Sequence, residues 1–232
     1  VIPFSQSGTE EKSKEGNPVF FANGFECKIL TDSTVSISRM PVAYLTDAMT
    51  DSVFHIPAFV EYDGKTYQVR EIAERGFTGN NNIKHLVIDE GIKAINSWAF
   101  ICCYNLESVR IPASLSFIDH DIFGGCHNLK SIVVNPANKV FDSRDNCNAI
   151  IETEFNILVA GCGGSSIPSS VTTIGEGAFA SCRFLESITI PEGVTQIRKE
   201  CIALYDQNPE DWHPARKVIA DKYWHNENTF SK

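Results

Sequence analysis

An internal repeat of about 23 residues constrains the fold of this chain more than any other feature of its sequence. The apolar pattern at Ile88 returns 23 residues later at Ile111, and the pattern at Ile167 returns in the same way at Ile190. Further apolar columns keep fixed offsets from this origin, and their members include Ile92, Leu115, Val171 and Val194; Ile95, Ile118, Ile174 and Ile197; Phe100, Phe123 and Phe179; Cys103, Cys126 and Cys182; Leu106, Leu129 and Leu185. Such a period predicts a solenoid, because each unit buries its apolar side only by stacking on its neighbours.

Each copy of the repeat starts with a short strand and continues into a turn. Val109 and Ile111 alternate with Arg110, so one side of the strand faces a core and the other faces solvent. Proline then follows, as at Pro112, and ends the strand because it lacks the donor that a ladder requires. We therefore predict a right-handed leucine-rich-repeat stack of short parallel strands joined by short helical or irregular turns, with about six rungs over residues 54–197.

Hairpins and caps are predicted around these repeats. Asp63-Gly64 lies between the apolar runs Phe54 to Tyr62 and Lys65 to Val69, which predicts two strands of a hairpin on the first rung. Residues 19–53 form a hairpin cap in this interpretation. The 33-residue step from Val134 to Ile167 exceeds the repeat by ten residues, which predicts an insertion. We place it in a hairpin at about 142–162 that turns at Glu154-Phe155. Residues 198–232 are predicted to form a helical C-terminal cap, and the polar residues 1–18 a flexible leader.

Charge and hydropathy exclude several classes of partner. The 20 Lys and Arg residues face 29 Asp and Glu residues, a formal net charge of -9, and no basic run exceeds a pair. Nucleic acid and anionic lipid need a concentrated basic face, so neither is an expected partner. The apolar stretches of the sequence are too short for a membrane span. The apolar residues at its start are too few for a secretory signal, which is the expectation for a mature or trimmed chain.

The repeat resembles a known family. The segments SITIPEGVTQI at 187–197 and IGEGAFASC at 174–182 are similar to BspA-like leucine-rich repeats, and DSRDNCNAIIET at 142–153 resembles a variant turn of that family. The resemblance implies a secreted or cell-surface protein that mediates adhesion or protein binding. It carries over no catalytic residue, and fold alone does not fix function.

Two of the eight cysteines form a candidate disulfide. With a two-residue turn at Glu154-Phe155, Cys147 lies directly opposite Cys162, within reach of a cross-strand bridge that an exported setting would favour. The alternative is a reduced pair packed at the base of the hairpin. Cys103, Cys126 and Cys182 share an internal column, which predicts buried thiols rather than metal ligands.

Polar clusters in the sequence match ordinary positions of the repeat. Asp119-His120-Asp121 looks like an acid–base or metal cluster, but its counterparts in other copies predict an exposed corner. Asp142, Asp145 and Asn146 offer oxygen ligands for calcium in a loop, but they lack the spacing and the terminal Glu of an EF-hand. We therefore predict no catalytic activity, no metal and no cofactor.

Outward residues of the predicted strands are the remaining candidates for a binding surface. They are His85, Val87, Ser108, Arg110, Ser131, Val133, Ser187 and Thr189. Their short side chains suit a flat protein or glycan ligand on a host or microbial surface, although a merely solvated sheet has the same pattern. The alternative function is a self-associating scaffold or assembly protein of the cell envelope; the sequence leaves the oligomeric state open.

Overall fold

The computed structural model describes residues 18–39, 53–180, 182, 188–198 and 201. These residues form strands and turns, with one 3-10 turn at Arg144–Asn146 and no α-helix within the described ranges. No described helix is long and apolar enough to cross a membrane. Almost all of the predicted leader, and the predicted helical C-terminal cap beyond Arg198 except Cys201, lie outside these residues.

Hairpins precede the regular repeats. Strands β1 (Val19–Ala22), β2 (Phe25–Thr31) and β3 (Thr34–Arg39) are antiparallel, and β3 then pairs in parallel with β6 (Lys65–Ile72). Strand β5 (Phe59–Tyr62) pairs with β6 around Asp63-Gly64, where both turn residues have positive φ, so the predicted hairpin is confirmed. The prediction of one strand from Phe54 to Tyr62 is wrong. Strand β4 (Val53–Ile56) ends before Pro57 and joins a different sheet from β5.

A parallel sheet carries the first strand of successive repeats. Its order is β11 (Ser131–Val134), β9 (Ser108–Ile111), β7 (His85–Ile88) and β4. Neighbouring strands pair residue for residue at the repeat interval, as in Ser131 with Ser108 and Ser108 with His85. The predicted 23-residue stacking is therefore present in these copies.

The second, shorter strands of the repeats belong to two other sheets. One sheet continues from β6 to β8 (Ala94–Ile95) and β10 (Phe117–Ile118), where it ends. The other has the order β12 (Phe141–Asp142), β13 (Ile150–Glu152), β14 (Ile157–Ala160), β15 (Thr173–Ile174) and β16 (Gln196–Ile197). The ladder of second strands is thus interrupted between β10 and β12.

Apolar columns fill the interior as predicted at most described positions, but Ile118, Ile190 and Val194 are only partly buried, and Leu185 lies outside the described residues. Phe77, Phe100 and Phe123 are buried and stack face to face, with ring centroids 5.4 Å and 5.8 Å apart. Irregular turns rather than helices deliver these rings, through bonds such as Ile101 N–H to the Trp98 carbonyl at 3.0 Å. Ile118 is only partly buried, because it belongs to β10, at the interruption of the ladder.

Thiols form a second buried column beside the rings. Cys103 and Cys126 donate their S–H groups to the carbonyls of Phe77 and Phe100, each at 3.1 Å, and Cys182 is also buried. Burial, together with the neighbouring Cys103, raises the pKa of Cys126 well above the ordinary value of a thiol. The prediction that these three cysteines are core residues is confirmed.

The hairpin insertion, β13 with β14, crosses the interior. Ile150 and Ala160 pack in one core cluster, and Ile151 and Leu158 pack in a second cluster. Both faces of this hairpin are therefore buried, as its unbroken apolar runs require. The predicted hairpin is present, with its turn at Glu154-Phe155, and it separates the two clusters.

Candidate binding surface

The outward side of the parallel sheet forms a flat surface, which we call the front face. Its side chains stand in two straight rows because the four strands are in register. One row is Val53, His85, Ser108 and Ser131, and the other is His55, Val87, Arg110 and Val133. Six of the eight predicted residues therefore lie together on this face.

The other two predicted residues are not part of the front face. Ser187 lies outside the described residues. Thr189 is exposed, but no strand forms around it and the sheet ends at β11. The prediction that Thr189 shares this face is therefore wrong. It assumed that the sheet continues past the insertion, and the described residues form no fifth strand there.

Two residues of the front face were missed in the sequence. Val53 and His55 belong to β4, whose sequence lies before the first clear copy of the repeat. The alternation of Val53 and His55 with Phe54 and Ile56 was the available signal, because only Phe54 and Ile56 pack toward the core.

Four of the eight outward side chains of the front face are exposed, namely Val53, His55, Arg110 and Val133. Val53 and Val133 are 44% and 49% exposed at its two edges, and Arg110 is exposed in the ladder next to Val133. The His85 Nδ1 atom lies 2.9 Å from Ser108 Oγ across neighbouring strands. At the rim, His55 Nδ1 lies 3.2 Å from an Asp89 carboxylate oxygen. None of the eight outward side chains is a carboxylate, although the chain has a net charge of -9.

A serine, a histidine and an aspartate meet elsewhere, at the ends of β8 and β10. Ser97 Oγ donates to Asp119 Oδ2 at 2.6 Å, and His120 Nδ1 lies 2.9 Å from Asp119 Oδ1. Ser97 Oγ also approaches the same ring nitrogen, at 3.4 Å, so serine and aspartate share one edge of the imidazole. A nucleophile relay needs them on opposite nitrogens, so this geometry is that of a cross-rung hydrogen-bond network.

These contacts change the titration of Asp119. Burial alone would raise the pKa of Asp119, but hydrogen bonds from Ser97 and His120 outweigh it and hold this pKa below its ordinary value. The carboxylate is therefore an acceptor that fastens two rungs together.

The predicted bridge between Cys147 and Cys162 is absent, and both thiols are free and buried. The turn register is as expected, with Glu152 opposite Ile157, but a β-bulge between Ile150 and Ile151 shifts the pairing by one residue. A shift of one residue moves a side chain to the other face of a strand. Accordingly, Cys147 packs in the second cluster and Cys162 in the first.

Arg144 fastens the insertion to its surroundings. Its guanidinium donates to both carboxylate oxygens of Asp142, at 2.8 Å and 2.5 Å, and to Asn156 Oδ1 at 2.7 Å. Burial would raise the pKa of Asp142, but these bonds hold it below its ordinary value. Because Arg144 occupies both oxygens of Asp142, the loop is a salt-bridged turn rather than the calcium loop considered above.

Known proteins share this repeat. A leucine-rich repeat protein from Bacteroides ovatus ATCC 8483 is 26% identical, with a TM-score of 0.51 over 79% of this chain. This chain spans 50% of the length of that protein. A leucine-rich repeat protein of T. pallidum is 20% identical, with a TM-score of 0.48 and coverage of 77% of this chain and 80% of that one.

A third similar structure is described as a leucine rich cell surface protein, from Faecalibacterium prausnitzii A2-165. It is 16% identical, with a TM-score of 0.37 and coverage of 82% of this chain and 75% of that one. No curated protein matches the sequence. The model of the BspA type leucine-rich repeat region matches in six copies at residues 63–157 and 162–207, which is more than half of the chain. This chain therefore belongs to the BspA-type leucine-rich repeat family.

Proposed function

We propose that this chain is a non-catalytic binding module of an exported protein, and that its front face contacts a protein on a host or microbial surface. In this proposal residues 54–197 form a solenoid, and its contact surface lies on the strands β4, β7, β9 and β11. The family supports an adhesion-like role in an extracellular setting.

The observation that carries the proposal is the composition of the front face. A chain with 29 acidic residues has none among the eight outward side chains of this sheet. Depletion of Asp, Glu and Lys together with the presence of Arg and apolar groups is typical of the buried part of a protein interface. Arg110 is the single permanently charged group in the two rows, and its planar guanidinium suits a carboxylate of the partner.

The geometry also fits a flat partner. Four strands spaced by about 4.8 Å give a surface roughly 14 Å wide, without a ridge of large side chains. The exposed valines at the two edges supply apolar area. Loss of this area and of the Arg110 contact should weaken binding mainly by faster dissociation.

Binding of the full chain to extracellular-matrix proteins, glycans and bacterial cells tests the proposal. Arg110→Glu and Val133→Glu should each weaken binding of the captured ligand by at least about tenfold. Lys139→Glu is the matched control, because Lys139 is exposed outside the front face and undergoes the same charge reversal as Arg110. Lys139→Glu should leave affinity unchanged.

Two results would contradict the proposal. Equal binding by the wild type and both front-face variants would show that the ligand contacts another surface. Concentration-dependent self-association in light scattering at micromolar protein, abolished by Val133→Glu, would instead support the scaffold alternative.

A further inference from the structure

Among the described residues, the ladder of second strands that contains β10 ends there at an unpaired edge. In β10, the N–H groups of Phe117 and Asp119 donate to the carbonyls of Lys93 and Ile95, at 3.0 Å and 2.9 Å. The N–H of Ile118 lies between them and points to the opposite side, because successive peptide groups alternate along a strand. Within the described chain, β10 has no strand on that side.

The side chain of Asn138 explains why the next repeat does not pair there. By the spacing of the repeat, the N–H of Val140 should donate to the carbonyl of Ser116, as Phe117 donates to Lys93. Instead, Asn138 Oδ1 accepts the N–H groups of Val140 and Phe141, each at 2.8 Å. The carbonyl of Ser116 thus lacks the ladder donor that the Lys93 carbonyl receives one rung earlier, and no strand of the described chain pairs with β10 at the carbonyl of Ile118.

A cleft of about 430 Å³ lies along this edge. Residues 116–120 form one side of it, and residues of β12, β13 and β14 contribute to the rest. Apolar side chains line much of the cleft, including Phe117, which is 50% exposed, together with Val140, Ile157 and Val159. The cleft therefore combines an open strand edge with an apolar lining, as in proteins that bind extended peptides by adding a strand.

Charged groups of the cleft are mostly acidic. Asp119, Glu152 and Glu176 line it against the single guanidinium of Arg198. Asp119 already accepts hydrogen bonds from Ser97 and His120. Glu152 differs, because its Oε2 atom is buried and has no hydrogen-bond partner among the described residues. A buried carboxylate oxygen is costly without a donor, so a cationic donor from a ligand would stabilise it.

We propose that this cleft binds an extended, basic segment of a partner protein, which pairs with the open edge of β10 and directs a Lys or Arg side chain to Glu152. The backbone of the segment replaces the missing rung, and its apolar side chains cover Phe117 and Val159. This site is separate from the front face, because it lies on the second strands of the repeats.

Titration of the isotope-labelled full chain with short peptides tests the proposal. The probe is acetyl-Thr-Val-Lys-Val-Thr-amide, and the comparison peptide has Glu in place of Lys. The Lys peptide should shift the amide resonances of Ser116 to Asp119, and N-methylation of its backbone should abolish the effect. Glu152→Gln should weaken binding about tenfold, whereas Glu154→Gln, at the exposed tip of the same hairpin, should not change it.

Several outcomes would overturn this inference. They are equal binding of the Lys and Glu peptides, equal binding by Glu152→Gln, shifts confined to other surfaces, or no shift at millimolar peptide. Occupation of the cleft by a second copy, seen as self-association that the peptide does not displace, would also overturn it. Arg110→Glu should leave peptide binding unchanged, so the failure of either site is distinguishable from the failure of the other.

Discussion

Replacing Phe100 with alanine tests the stacked core most directly. Phe100 is 0% exposed and contacts a ring on each side, at 5.4 Å from Phe77 and 5.8 Å from Phe123. Truncation of a buried phenylalanine costs about 3–5 kcal/mol, through lost transfer energy and the remaining cavity. Because both stacking contacts are lost as well, each worth about 0.5–1.5 kcal/mol, we expect a value near the upper end.

Thermal and urea unfolding, followed by circular dichroism, give the measurement. For a chain of this length, 1 kcal/mol shifts the melting temperature by about 2–4 °C, so Phe100→Ala should lower it by roughly 8–20 °C. Phe123→Ala should cost about 3–4 kcal/mol, because Phe123 is slightly exposed and stacks on Phe100 alone in the described chain.

Phe117→Ala is the matched control, since the same atoms are removed from a ring that is 50% exposed. Its cost should stay within about 0.5 kcal/mol. A shift of less than 2 °C for Phe100→Ala, or equal shifts for Phe100→Ala and Phe117→Ala, would refute the assignment of the phenylalanine column to the core.

Three further predictions concern the thiols, the salt-bridged turn and the insertion. Thiol titration of the unfolded, unreduced chain should find all eight cysteines, and in the native chain Cys102 should react first because the other seven are buried; six thiols would show a disulfide. Arg144→Met should cost about 1–2 kcal/mol at pH 7. The pKa of Asp142 is lowered in the folded chain, so its salt bridge stabilises the fold above the ordinary pKa of an aspartate. This stabilisation is lost as pH falls through the folded pKa. A plot of the urea midpoint against pH should therefore fall less steeply below about pH 4 in Arg144→Met than in the wild type. Gly161→Ala should cost about 1–3 kcal/mol by overpacking, because the new Cβ would lie 2.2 Å from Phe179 Cε1, and Phe179→Leu should restore part of this loss in a double-mutant cycle.

Periodicity was sufficient to predict the core. The columns that contain Ile95 and Phe100 are each fixed by chain spacing, and each rung repeats the same local choice between inside and outside. The front face followed from the same alternation, so six of its eight side chains were predictable. The turns were less predictable, because a short helix and a series of successive turns can place apolar residues at the same spacing. The described residues form turns there and no helix.

Departures from the repeat depend on single residues that period alone does not reveal. Pro57 divides one expected strand between two sheets. A bulge at Ile150 moves Cys147 and Cys162 into different clusters, and nothing in the apolar pattern marks a bulge there. Asn138 accepts the N–H of Val140, which the ladder would require, because a short amide side chain competes effectively for backbone donors close to it in sequence.

The insertion determines where both candidate binding sites end. In the front sheet, β11 is the last strand before the chain enters residues 142–162, so the front face is four strands wide. In the ladder of second strands, the same point separates β10 from β12 and leaves the cleft between them. The hairpin replaces a regular rung and is buried on both faces. Its strand β14 pairs in parallel with β15, so a new ladder of second strands starts at the hairpin rather than at β10. A repeat fold that gains one buried hairpin therefore has two core clusters, one on each face of the hairpin, and both strand ladders break there. The two proposed binding surfaces lie beside these breaks.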